Sequence, residues 1–163
     1  MTLQKRTTCE QASQLVLEGG CLCGAVRYQV TGPALDRGSC HCRSCRKASS
    51  APELPYAQFA LSKFKITRGW LASYHSSAQV TRTFCRHCGS LLTYRHADRA
   101  DRLDIMICSL DDPDALPPTY HVWTSHKPRW ALVDNRLPAF ETTRPEANRK
   151  AQRRHKTDPA GTN

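Results

Sequence analysis

The chain has 163 residues, is 39% hydrophobic with three Trp, and carries a net charge of +10 with nine Cys. That length fits one domain with tails and argues against two. No run approaches the ~20 apolar residues that a membrane-spanning helix needs, and Met1 to Gln14 lacks the apolar centre of a secretory signal. A cytoplasmic location is therefore expected, where reducing conditions turn nine thiols toward metal binding rather than disulfides.

The charge is spread along the chain. From Thr142 to Asn163 six basic and two acidic residues leave +4, so the remainder carries +6. A basic tail without interleaved aromatic residues reads as solvated, and no nucleic-acid arm is expected from it. The divisions expected are a leader at 1–14 that includes Cys9, a zinc domain at 15–141, and a basic tail at 142–163.

From Leu15 onward the pattern is of short β-type runs. Leu15 to Glu18 is one, and Ala25 to Val30 is another with Val26, Tyr28 and Val30 on one face. Between them lies a Gly-flanked pair of thiols, Cys21 and Cys23. Thr31-Gly32-Pro33 ends the second run, and Cys40-His41-Cys42-Arg43-Ser44-Cys45 follows a turn-rich loop. A helical turn is predicted at Arg46 to Ser50, with Pro52 and Pro55 barring regular structure after it. Further strands are predicted at Ala57 to Leu61 and Phe64 to Thr67. A hairpin joins Leu71–His75 to Gln79–Phe84 across Ser76-Ser77-Ala78, and runs into Cys85-Arg86-His87-Cys88-Gly89. Ser90 to Tyr94 and Arg102 to Leu110 continue the series, the latter with Leu103, Ile105 and Ile107 on one face. A helical turn is expected after Asp112-Pro113, then late strands at Tyr120–Thr124 and Trp130–Val133. The reading is mainly β, with metal-pinned loops.

Two half-sites, Cys21-x-Cys23 and Cys85-x-x-Cys88, each supply half a tetrahedron, and together they make a four-thiolate structural zinc site. Metal there would contribute directly to folding. Cys40, Cys42 and Cys45 form a separate group of three. Its fourth ligand is His41, a distant residue or an exchangeable molecule, and the last of these describes an enzyme. Cys108, on an apolar strand, is expected in the core.

Taken together, Gly20-Cys21-x-Cys23-Gly24-x-Val26-Arg27-Tyr28, Cys40-His41-Cys42-x-x-Cys45-Arg46, Arg82-x-Phe84-Cys85-x-x-Cys88-Gly89, Ser109-Leu110-Asp111-Asp112-Pro113, His121 and Trp130 resemble the glutathione-dependent formaldehyde-activating enzyme family, which includes centromere protein V. The resemblance runs from Val16 to Phe140. It implies a β-tent fold, a structural zinc at Cys21, Cys23, Cys85 and Cys88, and a second zinc at Cys40, Cys42 and Cys45 associated with catalysis. It also implies a carbon–sulfur lyase activity that joins glutathione and formaldehyde in S-hydroxymethylglutathione. The sequence departs from the family pattern at Ser50 and Cys108, where Gly is common, and Ser50 is expected beside the three-thiolate pocket. His41 is read either as a proton shuttle or as a surface residue. Arg43, Arg46 and Lys47 are read as a basic rim able to attract the carboxylates of a peptide-like thiol. The competing reading is a binding module in which both zinc ions are structural and the basic surface meets nucleic acid or an acidic protein.

Overall fold

The computed structural model describes residues 15–145. The expected leader with Cys9, and the tail from 146 onward, lie outside the described residues. Strands β1 (Val16–Gly20), β2 (Arg27–Thr31), β3 (Asp36–Cys40) and β4 (Leu54–Ala60) come first, with helix α1 (Arg43–Ser49) between the last two. They are followed by β5 (Phe64–Arg68), β6 (Ala72–Ser77), β7 (Val80–Phe84), β8 (Leu91–His96), β9 (Arg102–Met106), β10 (His121–Val122) and β11 (Ala139–Phe140). The fold is mainly β, as the sequence pattern requires.

These strands form two sheets. The smaller is antiparallel in the order β1-β2-β5, and the larger runs β11-β10-β3-β4-β9-β8-β7-β6. Period-two alternation dictates how they meet. Val26, Tyr28 and Val30 are buried on one side, and they join Ala57, Phe59, Leu103 and Ile105 of the larger sheet, with Ile107 just beyond it, in one core. Each large apolar side chain fully buried there contributes about 1.5–3 kcal/mol. The Tyr28 hydroxyl keeps its polar end satisfied on Ser109 Oγ at 2.7 Å.

Several local expectations are corrected. Pro55 lies inside β4, where it pairs with Ser39 of β3, while the β9 ladder on the other side begins only at Tyr56. A proline near the start of a strand costs no ladder bond on the side that is not yet paired. The hairpin strand β6 extends to Ser77 and β7 begins at Val80, so the turn narrows to residues 78–79. Trp130 to Val133 forms no strand, and the Ala131 N–H closes a turn onto the Pro128 carbonyl at 3.1 Å. That segment belongs to the crossover that brings β11 parallel to β10, and parallel neighbours require such a long connection. Cys108 is exposed rather than buried, because β9 ends at Met106 and a 3-10 turn at Ile107–Ser109 breaks the alternation. Thr142 and Arg144, placed in the tail by composition, are held against the domain: the Thr142 carbonyl accepts from Trp123 N–H at 3.0 Å, and Arg144 stacks over Tyr120.

Candidate metal centres and the cleft beside them

The two half-sites at Cys21/Cys23 and Cys85/Cys88 are built alike. In the first, Gly24 at φ 72 turns the chain so that its N–H reaches the Cys21 carbonyl at 2.9 Å. In the second, Gly89 at φ 74 does the same onto Cys85, also at 2.9 Å. Both glycines occupy the left-handed region that side chains disfavour. Ser90 links the halves, accepting from Leu22 N–H at 3.1 Å and contacting Cys88 Sγ at 3.2 Å. The four sulfurs lie within 4.8 Å of one another. A tetrahedron with Zn–S bonds of about 2.3 Å has edges of about 3.8 Å. The Cys21–Cys23 and Cys23–Cys85 separations of 3.6 and 3.8 Å fit it. Two of the donors are shifted toward the thiolate, while, against the Ala25 N–H, the thiols of Cys21 and Cys88 push Cys23 up to about 11. The Ser90 hydroxyl and N–H, with the Cys23 N–H, push Cys88 down to about 5. Burial raises Cys21, but the Val26 N–H and the thiols of Cys23 and Cys85 outweigh it and the net shift is downward.

The second group forms where β3 runs out. Cys42 caps α1, accepting the Cys45 N–H on its sulfur at 3.3 Å, so the first helical turn brings Cys45 back to Cys42 and Cys40. Their sulfurs also lie within 4.8 Å of one another. Hydrogen bonds from the Cys40 and Cys45 thiols push Cys42 down to about 2, against burial and with help from helix N–H groups. Cys40 moves the opposite way, raised by its two neighbours and then by burial. Three soft donors with one thiolate already favoured suit a zinc ion, and among the described residues no fourth His, Cys, Asp or Glu joins them.

These three cysteines open onto a cleft of about 480 Å³, a size typical of small-molecule sites. Arg43, Arg82 and Arg99 give it a basic wall, and Tyr56, Tyr94 and Tyr120 an aromatic one. Arg82 is 5% exposed, lies over the Tyr94 ring at 5.0 Å, and directs Nη2 at Cys45 Sγ at 3.7 Å. A hydroxyl chain crosses the floor. Tyr56 and Tyr120 meet at 2.7 Å, and Tyr120 donates to Asp36 at 2.9 Å. Burial raises the Tyr56 phenol and pushes Tyr120 up to about 12, so both keep their protons at neutral pH.

The model of the glutathione-dependent formaldehyde-activating enzyme family matches residues 16–126. The chain belongs to that family. A Halomonas elongata protein that carries the family's name is 24% identical over 131 residues, covering 75% of this chain and 83% of its own. An uncharacterized lyase of Schizosaccharomyces pombe is 28% identical over 82 residues, half of this chain, and the match spans only 58% of that protein. The crystal structure of a Rhodobacter sphaeroides protein superposes with a TM-score of 0.51 at 25% identity, covering 60% of this chain and 93% of the other.

Within this family frame the structure brings together all seven metal-ligand cysteines expected from the sequence, in the two groups expected. His41 is neither on the surface nor in the cleft wall. It is 1% exposed, and faces His121 and Glu53 behind the thiols. Of the expected basic rim, Arg43 lines the cleft, Arg46 donates through Nε to the His41 carbonyl at 3.1 Å, and Lys47 is exposed at the end of α1. Ser50 lies outside the cleft as the left-handed C-cap of α1. Sequence reasoning missed Arg82 as a cleft residue, along with Arg99, Tyr56, Tyr120 and Asp36, because they come from five separate segments. Asp36, Tyr56 and Arg82 lie on strands whose alternation faces either core or cleft, while Arg99 ends a 3-10 turn and Tyr120 precedes β10, so no local signal is common to them. No described helix is long and apolar enough to cross a membrane.

Proposed function

We propose that the protein is a zinc-dependent carbon–sulfur lyase that makes and breaks the adduct of a small thiol and an aldehyde, with glutathione and formaldehyde as the pair implied by the family. The observation that carries this reading is the opening of a three-thiolate group onto a cleft with a basic wall. Two zinc ions per chain complete it, a structural one at Cys21, Cys23, Cys85 and Cys88 and an open one at Cys40, Cys42 and Cys45. When bound at the open site, zinc holds a substrate sulfur as thiolate and orients it.

The chain's own groups do the rest. Arg43 and Arg99 offer guanidinium forks to the carboxylates of a peptide-like thiol. Arg82, fixed on Cys45 and Tyr94, keeps positive charge beside the sulfurs. In the forward direction the S–H bond is lost, a carbon–sulfur bond forms, and the carbonyl π electrons pass to oxygen, which takes up a proton. Tyr56, whose single hydroxyl hydrogen rests on Tyr120 while Tyr120 donates to Asp36, turns that hydrogen onto the oxygen and acts as the donor. His41 sits behind the thiols, so its role here is to position Cys40 and Cys42 rather than to shuttle protons into the cleft. The binding-module alternative needs a fourth protein ligand on the triple, and the described His, Cys, Asp and Glu side chains supply none.

The test is exchange NMR of glutathione with formaldehyde, comparing the parent with Cys42→Ser and Tyr56→Phe. The parent accelerates formation of the adduct over the spontaneous rate, Cys42→Ser does not, and Tyr56→Phe lowers the rate while keeping thiol affinity. A folded protein with both zinc ions bound that accelerates no member of a panel of small thiols would overturn the reading.

A further inference from the structure

Behind the three cysteines lies a second set of donors that takes no chemical step in the proposed reaction. His41 Nε2 and His121 Nδ1 approach to 3.0 Å, and Glu53 Oε2 stands 3.2 Å from the first and 3.4 Å from the second. The two rings are 1% and 4% exposed, whereas the Glu53 side chain is 31% exposed and gives the group its access to solvent. The triangle is built by the fold. Parallel pairing of β10 with β3 sets His121 opposite Ser39, and the His41 N–H bonds to the Val122 carbonyl at 3.0 Å. Ser39 Oγ then donates to Glu53 Oε2 at 2.6 Å and holds the carboxylate in place. None of His41, Glu53 and His121 lines the cleft.

With Glu53 ionised, every placement of the ring protons leaves one edge of this triangle unfavourable. If both imidazoles present N–H to Glu53, the two hydrogens confront each other across the 3.0 Å edge. If only His41 donates, the lone pairs of His121 Nδ1 and Glu53 Oε2 face each other at 3.4 Å. A cation at the centre attracts all three lone pairs and offsets their mutual repulsion. With metal–ligand bonds of about 2.0–2.2 Å, tetrahedral ligand pairs are about 3.3–3.6 Å apart and octahedral neighbours about 2.8–3.1 Å, and the three edges fall across those ranges.

We propose that His41, Glu53 and His121 form a third metal site, separate from both cysteine groups, for a divalent transition-metal ion with at least one position open to solvent. Two imidazole nitrogens and one carboxylate oxygen select a borderline ion such as Zn²⁺, Co²⁺ or Fe²⁺ over the hard Mg²⁺ and Ca²⁺. Ser39 is the outer partner that orients the carboxylate.

The experiment loads the full chain with zinc at the cysteine groups and titrates Co²⁺, following absorption, total metal content and the imidazole nitrogen resonances of a ¹⁵N-His sample. The parent takes up one further equivalent, with ligand-field bands and no thiolate charge-transfer band, and the resonances of His41 Nε2 and His121 Nδ1 shift to coordinated values. His121→Ala abolishes this uptake. Glu53→Gln, at the accessible corner, weakens it by more than the roughly 10–100-fold cost of losing an outer-shell partner. Both variants keep the two thiolate-bound zinc ions. No further equivalent in the parent at a hundredfold excess of Co²⁺, a charge-transfer band on the added ion, or unchanged uptake in folded forms of both variants overturns the proposal. These outcomes are independent of whether the cleft acts on thiol adducts.

Discussion

Asp104 is a buried carboxylate at the edge of the cleft, and its surroundings bear on stability. Gln58 Nε2 donates to it at 3.0 Å, and the amide is oriented by Arg102, which donates to Gln58 Oε1 at 3.2 Å. Burial nonetheless raises the Asp104 pKa, outweighing the Gln58 bond and the nearby Arg99. A carboxyl whose folded-state pKa exceeds its unfolded value binds more protons when folded. Its contribution therefore favours folding below the ordinary carboxylate range and is lost as the pH rises through the raised value. Asp104→Asn keeps an acceptor for Gln58 and removes the buried charge. Its stability relative to the parent should be greater at pH 7 than at pH 4 by urea denaturation, and a difference that does not change with pH would count against this account. At the same scale, the grouping of the seven clustered cysteines was legible because each knuckle places its thiols close in sequence. The exposure of Cys108 was not, because it depends on where one strand stops.

The helix α1 has only seven residues, too few to be stable alone, and local side-chain bonds brace it. Cys42 caps its start, Arg46 reaches back to His41, and Ser49 Oγ bonds the Cys45 carbonyl at 3.0 Å. Its end is strained: Ser50 sits at φ 53 and ψ 33, with its N–H on the Arg46 carbonyl. A left-handed C-cap is a glycine position, and a residue with a Cβ there costs about 1–2 kcal/mol. Ser50→Gly should therefore stabilise the protein by about 1 kcal/mol in chemical denaturation with zinc content unchanged, and a loss of stability would show that the serine side chain has a role of its own. A glycine at this position would act through backbone conformation, since Ser50 does not reach the cleft. Strand periods were readable wherever one face is buried, as in β2. They misled at Pro55 and at Trp130–Val133, where neighbouring strands and crossover length decide.

At the scale of the whole molecule, the four-thiolate group clips the sheets together. Cys21 and Cys23 follow β1 of the smaller sheet, and Cys85 and Cys88 join β7 to β8 of the larger. The three-thiolate group joins only the end of β3 to the first turn of α1. Cys85 is fully buried, and with zinc bound as proposed its loss would break the tie between layers. Cys85→Ser should abolish cooperative thermal unfolding, whereas Cys40→Ser should leave a folded protein with one fewer zinc and no lyase activity. Equal thermal damage from both would mean that the two groups do not have separate structural weight.

The sequence by itself determined the β character, the core faces and both cysteine groups, because strand alternation and chelate spacing are short-range properties written in neighbouring residues. Tertiary structure alone decided what surrounds the metal-binding loops. The cleft draws Asp36, Tyr56, Arg82, Arg99 and Tyr120 from across the chain, and the His41–Glu53–His121 triangle exists only because β10 pairs with β3. Contacts between residues 80 apart in sequence depend on strand order and register, and no local pattern in a single chain encodes them.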